Sequence, residues 1–282
     1  MIRSRCFRAM GTDISLFVDA ANGDRAFDAA EAEFHRLEGL LSRFRPDSEL
    51  SSLNADGRID AGPDLMRVVT LALDARARTA GRFDPTVHDA LVAAGYDRTF
   101  EQVARDGTRA ADGVPAGGGV QIEGGRIWLE PGVRIDLGGI GKGYAAERAA
   151  ELLATAGPCL VDAGGDIAVR GGAWPVGVET AEGTLTLELR DGALATSGRD
   201  RRRWRRGGEE LHHVIDPRTG RPADSDVLRV TVAAYDAVEA EVLATSLFLA
   251  GAECAAAEAN AAGLVAVIVV DDGRTILAGG LA

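Results

Sequence analysis

The chain has 282 residues, 46% of them hydrophobic and 26% charged, enough apolar material for a large packed interior and unlike a disordered chain. Its net charge of −12 argues against general affinity for nucleic acid or an anionic membrane. The longest apolar run, Leu264–Val270, is far below the roughly 20 residues of a spanning helix. The N-terminus, Met1-Ile-Arg-Ser-Arg-Cys6, has no secretory h-region. Cys6, Cys159 and Cys254 are scattered singly and give neither a disulfide framework nor a zinc spacing. A cytoplasmic globular protein is expected, with no nucleic-acid partner and no membrane insertion.

In chain order, alternation of Ile14, Leu16 and Val18 predicts a half-buried strand over Asp13–Asp19. Phe27, Phe34, Leu37, Leu40 and Leu41 recur at helical spacing and predict an amphipathic helix from about Arg25 to Arg43. Arg45–Leu50 reads as a turn into a polar loop. A second helix is expected from Pro63 to Gly81, proline near its start and glycine just past its end. Val120–Glu130 alternates on both sides of Gly124-Gly125 and predicts a hairpin.

Val133–Leu137 reads as a short strand leading into a glycine loop and a helix from Tyr144 to about Ala156. Strands are predicted at Cys159–Ala163, Ile167–Arg170, Trp174–Glu179, Leu185–Leu189, Val227–Ala233 and Leu264–Val270, with a helix over Val238–Ala250. Clustered strands with helices between some of them favour α+β over a doubly wound sheet. The glycine-rich stretch Gly113–Gly119 is a surface loop or a weak lobe boundary.

Among 31 basic residues there is a single lysine, Lys142. A lone lysine among arginines marks a candidate place where a compact ammonium fits and a planar guanidinium does not. It sits in Arg134-Ile-Asp-Leu-Gly-Gly-Ile-Gly-Lys-Gly-Tyr144, strand to glycine loop to helix. Such a loop lets backbone N–H groups and a helix N-terminus approach an anion, although it fits neither the P-loop nor the dinucleotide fingerprint. Alone it reads equally as a phosphate-binding loop or a tight structural turn, and a nicotinamide oxidoreductase is disfavoured.

His212 and His213 are adjacent on a predicted strand, so they point to opposite faces. His213 is a candidate acid or base near neutral pH, with a packed structural histidine as the alternative. Glu241 and Thr245 stand four apart on a predicted helix and project from one face. Their oxygens suit Mg²⁺, or are an ordinary glutamate of the helix's N-terminal turn and a hydroxyl bonded to its own helix. Arg199–Arg206 holds six arginines in eight residues, an anion-binding candidate or a solvated loop.

Taken in order, eight segments resemble the ApbE family, the FAD:protein FMN transferases. They are Ala9-Met-Gly-Thr12, Leu41-Ser-Arg-Phe-Arg-Pro-Asp-Ser-Glu-Leu-Ser-Ser-Leu-Asn54, Gly81-Arg-Phe-Asp-Pro-Thr86, Asp136-Leu-Gly-Gly-Ile-Gly-Lys-Gly143, Asp162-Ala-Gly-Gly-Asp166, Thr196-Ser-Gly198, His213-Val-Ile-Asp-Pro-Arg-Thr-Gly220 and Ala240–Gly251. The resemblance implies an α+β, T-fold-related molecule of mixed or antiparallel sheets flanked by helices. One domain over residues 1–282 would form two lobes, with a weak boundary near 113–119 and an FAD cleft between them. It implies Mg²⁺-dependent transfer of FMN from FAD, the substrate, to a Ser or Thr hydroxyl of an acceptor protein, with AMP released. The acceptor would carry an Asp-Gly-x-x-Ala-Thr type of sequence.

By family position, Met10, Phe44, Asn54, Arg82, Phe83, Asp84, Asp136, Lys142 and Ile215 are expected to bind FAD. Glu241, Thr245 and the Gly139 carbonyl are expected to hold Mg²⁺. His213 and Lys142 are the expected catalytic groups. This chain departs from the family pattern in having Glu241 where Asp is usual, Ala244 where some members carry a further Asp, and Phe44 in place of an aromatic alcohol. An FAD pyrophosphatase and a catalytically silent FAD-binding protein are the alternatives.

Overall fold

The computed structural model describes residues 1–103 and 111–281. The chain divides into two compact units, one of Met1–Glu38, Ile140–Gly198 and Ser225–Ala282, the other of Gly39–Gly139 and Arg199–Asp224. The glycine-rich stretch at residues 113–119 lies within the second unit.

The first unit is built on one eight-stranded sheet. Its strands run in the order Ile2–Ala9, Thr12–Asp19, Cys159–Ala163, Ile167–Arg170, Gly192–Gly198, Val227–Ala234, Ala266–Val270 and Thr275–Ala278. Every neighbouring pair is antiparallel, so the α+β expectation holds. Ile14, Leu16 and Val18 are fully buried, and so is the helix stripe Phe27, Phe34 and Leu37 of Asp24–Leu41. The edge strand Ile2–Ala9 gives no clean sequence signal, because Arg3, Arg5 and Arg8 interrupt its apolar residues. Its arginines reach Asp24 at 2.6 Å and Asp28 at 2.7 Å instead of water alone, and the Phe7 ring packs on Phe34 at 5.6 Å. Met10 and Gly11 turn this hairpin at φ +51° and +68°, the geometry of a two-residue primed turn.

Helices Gly141–Leu153 and Ala237–Ala250 pack together on this unit. The second is apolar nearly all round, with Val238, Val242, Leu247 and Phe248 buried, as a helix inside a core must be.

The second unit holds helices Glu49–Asp56, Pro63–Arg78 and His88–Ala93 and a three-stranded sheet in the order Arg58–Asp60, Arg126–Leu129, Val120–Glu123. The Gly124-Gly125 hairpin and the Pro63 helix start are as expected, though that helix ends at Arg78. Three expectations are corrected. The polar loop after Arg45 is instead a helix, Glu49–Asp56, capped by Ser48 Oγ accepting from Ser51 N at 3.0 Å and stopped by Gly57 at φ 70°. It escapes the periodicity test because only Leu50 and Leu53 are buried. Residues 133–137 form no strand. Their backbone bonds go to the Asn54 amide and the Pro85 carbonyl rather than to a ladder. The second half of the arginine run is not a loop but one strand of a hairpin, Arg203–Arg206 against Glu209–His212, anchored by buried Trp204, whose Nε1–H donates to the Ala94 carbonyl at 2.9 Å, while residues 199–202 lie outside any strand.

Candidate active site

On the first unit, the glycine loop delivers Lys142 as the second residue of helix Gly141–Leu153. Lys142 Nζ donates to Glu241 Oε1 at 2.7 Å and, on its other side, to the Asp166 carboxylate. Glu241 and Asp166 are only 4% and 2% exposed, so the ammonium stands between two acids removed from water. Burial and the neighbouring Asp166 push the Glu241 carboxyl well above the ordinary carboxylate range, against the pull of Lys142 and the Gly143 N–H. A buried carboxylate is tolerated only with such partners.

The arrangement depends on close helix approach. Gly143 N donates to Glu241 Oε2 at 2.9 Å, and a Cβ at Gly143 would stand 2.5 Å from the Ala237 carbonyl oxygen. Asp236 caps the helix carrying Glu241 by accepting from Glu239 N at 2.7 Å. Glu147, on the lysine's helix, accepts from Ala237 N at 2.7 Å and pairs with Arg170. Thr245, one turn beyond Glu241, shares a 2.8 Å hydroxyl hydrogen bond with Ser197. Met10 sits at its left-handed turn with its N–H on Glu38 Oε1 at 2.8 Å.

Asp166 and Ser197 join this cluster although neither was assigned a role from the sequence. The signal was present, since Asp162-Ala-Gly-Gly-Asp166 and Thr196-Ser-Gly198 are among the matching segments. What the sequence lacks is the turn Gly164-Gly165, at φ +72° and +102°, which folds Asp166 back so that its carbonyl accepts from Ala163 N at 2.9 Å.

On the second unit, half-buried Asp136 pairs with Arg43, whose Nε lies 2.7 Å from Oδ2, while Oδ1 accepts from Gly138 N at 2.8 Å. The Arg43 guanidinium stacks 4.1 Å from the Phe44 ring centroid and 4.8 Å from that of Tyr96, and donates to the Tyr96 carbonyl at 2.7 Å. Arg43 therefore joins Phe44 to Asp136, a role that sequence reading missed. Asn54 is committed to the backbone: its Oδ1 accepts from Ile135 N and its Nδ2 donates to Ile135 O, both at 2.8 Å. Asp84 caps the Pro85–Val87 turn and pairs with Arg76 at 2.9 Å. Phe83 is buried, and a Cβ on Gly139 would meet its ring at 3.2 Å. Arg82 is half-buried beside it in sequence.

Ile215 is buried with Tyr96, Trp204 and Leu211. Of the two histidines, His212 is the packed one: its Nε2–H donates to the Ala223 carbonyl at 3.0 Å, and burial pulls its pKa down to about 4. His213 follows the strand's end and is half-buried.

No cluster of three or more His, Cys, Asp or Glu side chains that could hold a metal is present among the described residues. The expected set contains one carboxylate only. Glu241 and Thr245 are nonetheless hard oxygen donors on one helix, and the acids around Lys142 outnumber it, so the donor chemistry of the first unit fits Mg²⁺.

The model of the ApbE family matches residues 10–269. Among named relatives, the FAD:protein FMN transferase of Treponema pallidum is 31% identical, over 83% of this chain and 74% of its own. That of Klebsiella pneumoniae is 29% identical, over 91% of this chain and 80% of its own. The crystal structure of the ApbE protein from Thermotoga maritima superposes with a TM-score of 0.85 at 26% identity, covering 99% of this chain and 97% of that one. The flavin transferase ApbE from Vibrio cholerae gives 0.80 at 26% identity with the same coverage. No helix among the described residues is long and apolar enough to cross a membrane. With the family model spanning most of its length, the chain belongs to the ApbE family, a family of enzymes.

Proposed function

We propose that this protein transfers FMN from FAD to a Ser or Thr hydroxyl of an acceptor protein and releases AMP. The observation that carries the proposal is the buried Lys142–Asp166–Glu241 cluster, because two of its members, Lys142 and Glu241, stand at positions that family resemblance gives to FAD binding and to the metal. Phosphoryl-type transfer asks for positive charge where negative charge develops as the pyrophosphate bridge of FAD is cleaved, and for a positioned nucleophile; Lys142 would supply a point charge of that kind.

In the proposed reaction the acceptor oxygen forms a bond to the FMN phosphorus and the phosphorus–bridging-oxygen bond breaks. The bridging oxygen leaves on AMP, and the hydroxyl proton passes to His213. Glu241, Thr245 and the Gly139 carbonyl would hold Mg²⁺, which when bound adds positive charge at the phosphate oxygens. Asp136 and Phe44, held by Arg43, would contact the flavin nucleotide, together with Met10, Arg82, Phe83, Asp84 and Ile215. Asn54 would act through the backbone of Ile135, next to Asp136.

The test is the mass of a small acceptor protein bearing an Asp-Gly-x-x-Ala-Thr sequence after incubation with FAD and Mg²⁺. A gain of one FMN supports transfer. An unmodified acceptor alongside free FMN and AMP would instead make the protein a pyrophosphatase, and unchanged FAD would make it a binding protein.

A further inference from the structure

Glu241 divides its two oxygens between different partners. Oε2 is committed to the Gly143 N–H at 2.9 Å, and Oε1 is held by Lys142 Nζ at 2.7 Å. A divalent cation that uses Glu241 therefore meets it at the oxygen the ammonium already occupies. Asp166 holds the same ammonium from its other side. One positive charge is thus shared between two buried acids, an arrangement that leaves the cluster short of positive charge when both are ionised.

We infer that Lys142 stands in for the divalent cation in the nucleotide-free protein, and that Asp166 is a positioning residue that keeps the ammonium in place once Glu241 is taken by the metal. This rests on the reading of Glu241 as a metal ligand. Lysine suits the role because its ammonium is a compact point charge whose stem can shift between two acceptors, whereas a guanidinium presents a fixed planar fork. That accounts for the one lysine in a chain with 31 basic residues. Asp166 keeps the displaced ammonium within the cluster, charged and available to a phosphate, instead of releasing it to water.

Two substitutions in contact with each other then act in opposite directions. Lys142→Met removes the competitor for Oε1 and tightens binding of Mn²⁺ alone, measured by the electron paramagnetic resonance of free Mn²⁺ without FAD, by about tenfold. Asp166→Asn leaves the ammonium to Glu241 and removes a negative charge, and weakens Mn²⁺ binding by about as much. A purely structural role for either residue gives no such opposition of sign.

A second measurement needs no substitution at Lys142. Because it is the only lysine, metabolic labelling with ¹³C,¹⁵N-lysine reports this side chain alone. Mg²⁺ without nucleotide should shift its Cε and Nζ resonances in the full-length protein and leave them in place in Glu241→Ala. Mn²⁺ binding that is lost in Glu241→Ala, but equal or weaker in Lys142→Met, would overturn the inference and leave the metal reading standing. An unmoved lysine signal in metal-loaded protein would do the same. No Mn²⁺ uptake by wild type or either variant would overturn both.

Discussion

Gly143 and Glu241 meet across two packed helices, the Gly143 amide donating to Glu241 Oε2 at 2.9 Å, with room for no side chain between them. A Cβ at Gly143 would lie 2.5 Å from the Ala237 carbonyl oxygen and 3.0 Å from that same carboxylate oxygen. Backbone cannot yield there without moving the helix that carries Glu241 and Thr245. Gly143→Ala is expected to cost about 1–3 kcal/mol in urea unfolding and to lower turnover with it. Wild-type stability would show that the helices separate freely.

Asn54 mimics a strand partner for Ile135, satisfying both its N–H and its C=O. Asn54→Asp keeps an acceptor for the N–H but sets a carboxylate oxygen against the Ile135 carbonyl. It should destabilise by about 1–3 kcal/mol and weaken FAD binding through Asp136, as read by flavin fluorescence titration. Unchanged FAD affinity in a folded Asn54→Asp protein would remove Asn54 from the account.

The metal assignment predicts that Glu241→Ala and Thr245→Ala each abolish Mg²⁺-dependent turnover while FAD binding is at least partly retained. Lys142→Ala, in contrast, should weaken FAD binding itself. Full activity in both helix variants would refute Glu241 and Thr245 as ligands.

Burial holds His212 neutral, with a folded pKa of about 4 against an ordinary 6.5. A depressed pKa contributes stability that is present above the unfolded value and is lost as pH falls through the folded one. Unfolding free energy should therefore decline from about pH 6.5 to pH 4, by on the order of 3 kcal/mol from this group. Urea titrations of wild type and His212→Gln across that range check it. Equal slopes for the two would place the acid sensitivity elsewhere.

The strands and helices that form the frame were legible where packing follows a simple period. Ile14, Leu16 and Val18 alternate into the core, and the helix read over Val238–Ala250 forms as Ala237–Ala250. Where tertiary partners replace regular ladders, the pattern fails. Residues 133–137 join no ladder and bond to Asn54 and Pro85, and Glu49–Asp56 is helical by its caps rather than by an apolar stripe. The candidate site follows the same division. Lys142 stood out by composition, and Glu241 and Thr245 by helical spacing. Their union with Asp166 did not, because Asp166 lies 24 residues and Glu241 lies 99 residues from the lysine, and only the fold closes those separations. Arg43 was hidden for a different reason: in a chain so rich in arginine, one that stacks on Phe44 looks like any other.

Cleavage of FAD by transfer to a protein is tested most directly by counting AMP released and FMN attached in one reaction of the protein, FAD, Mg²⁺ and the acceptor. One AMP is expected for each acceptor modified, with both products absent in Thr245→Ala. AMP accumulating in wild type without any flavin on the acceptor, or at an equal rate when no acceptor is present, would contradict it.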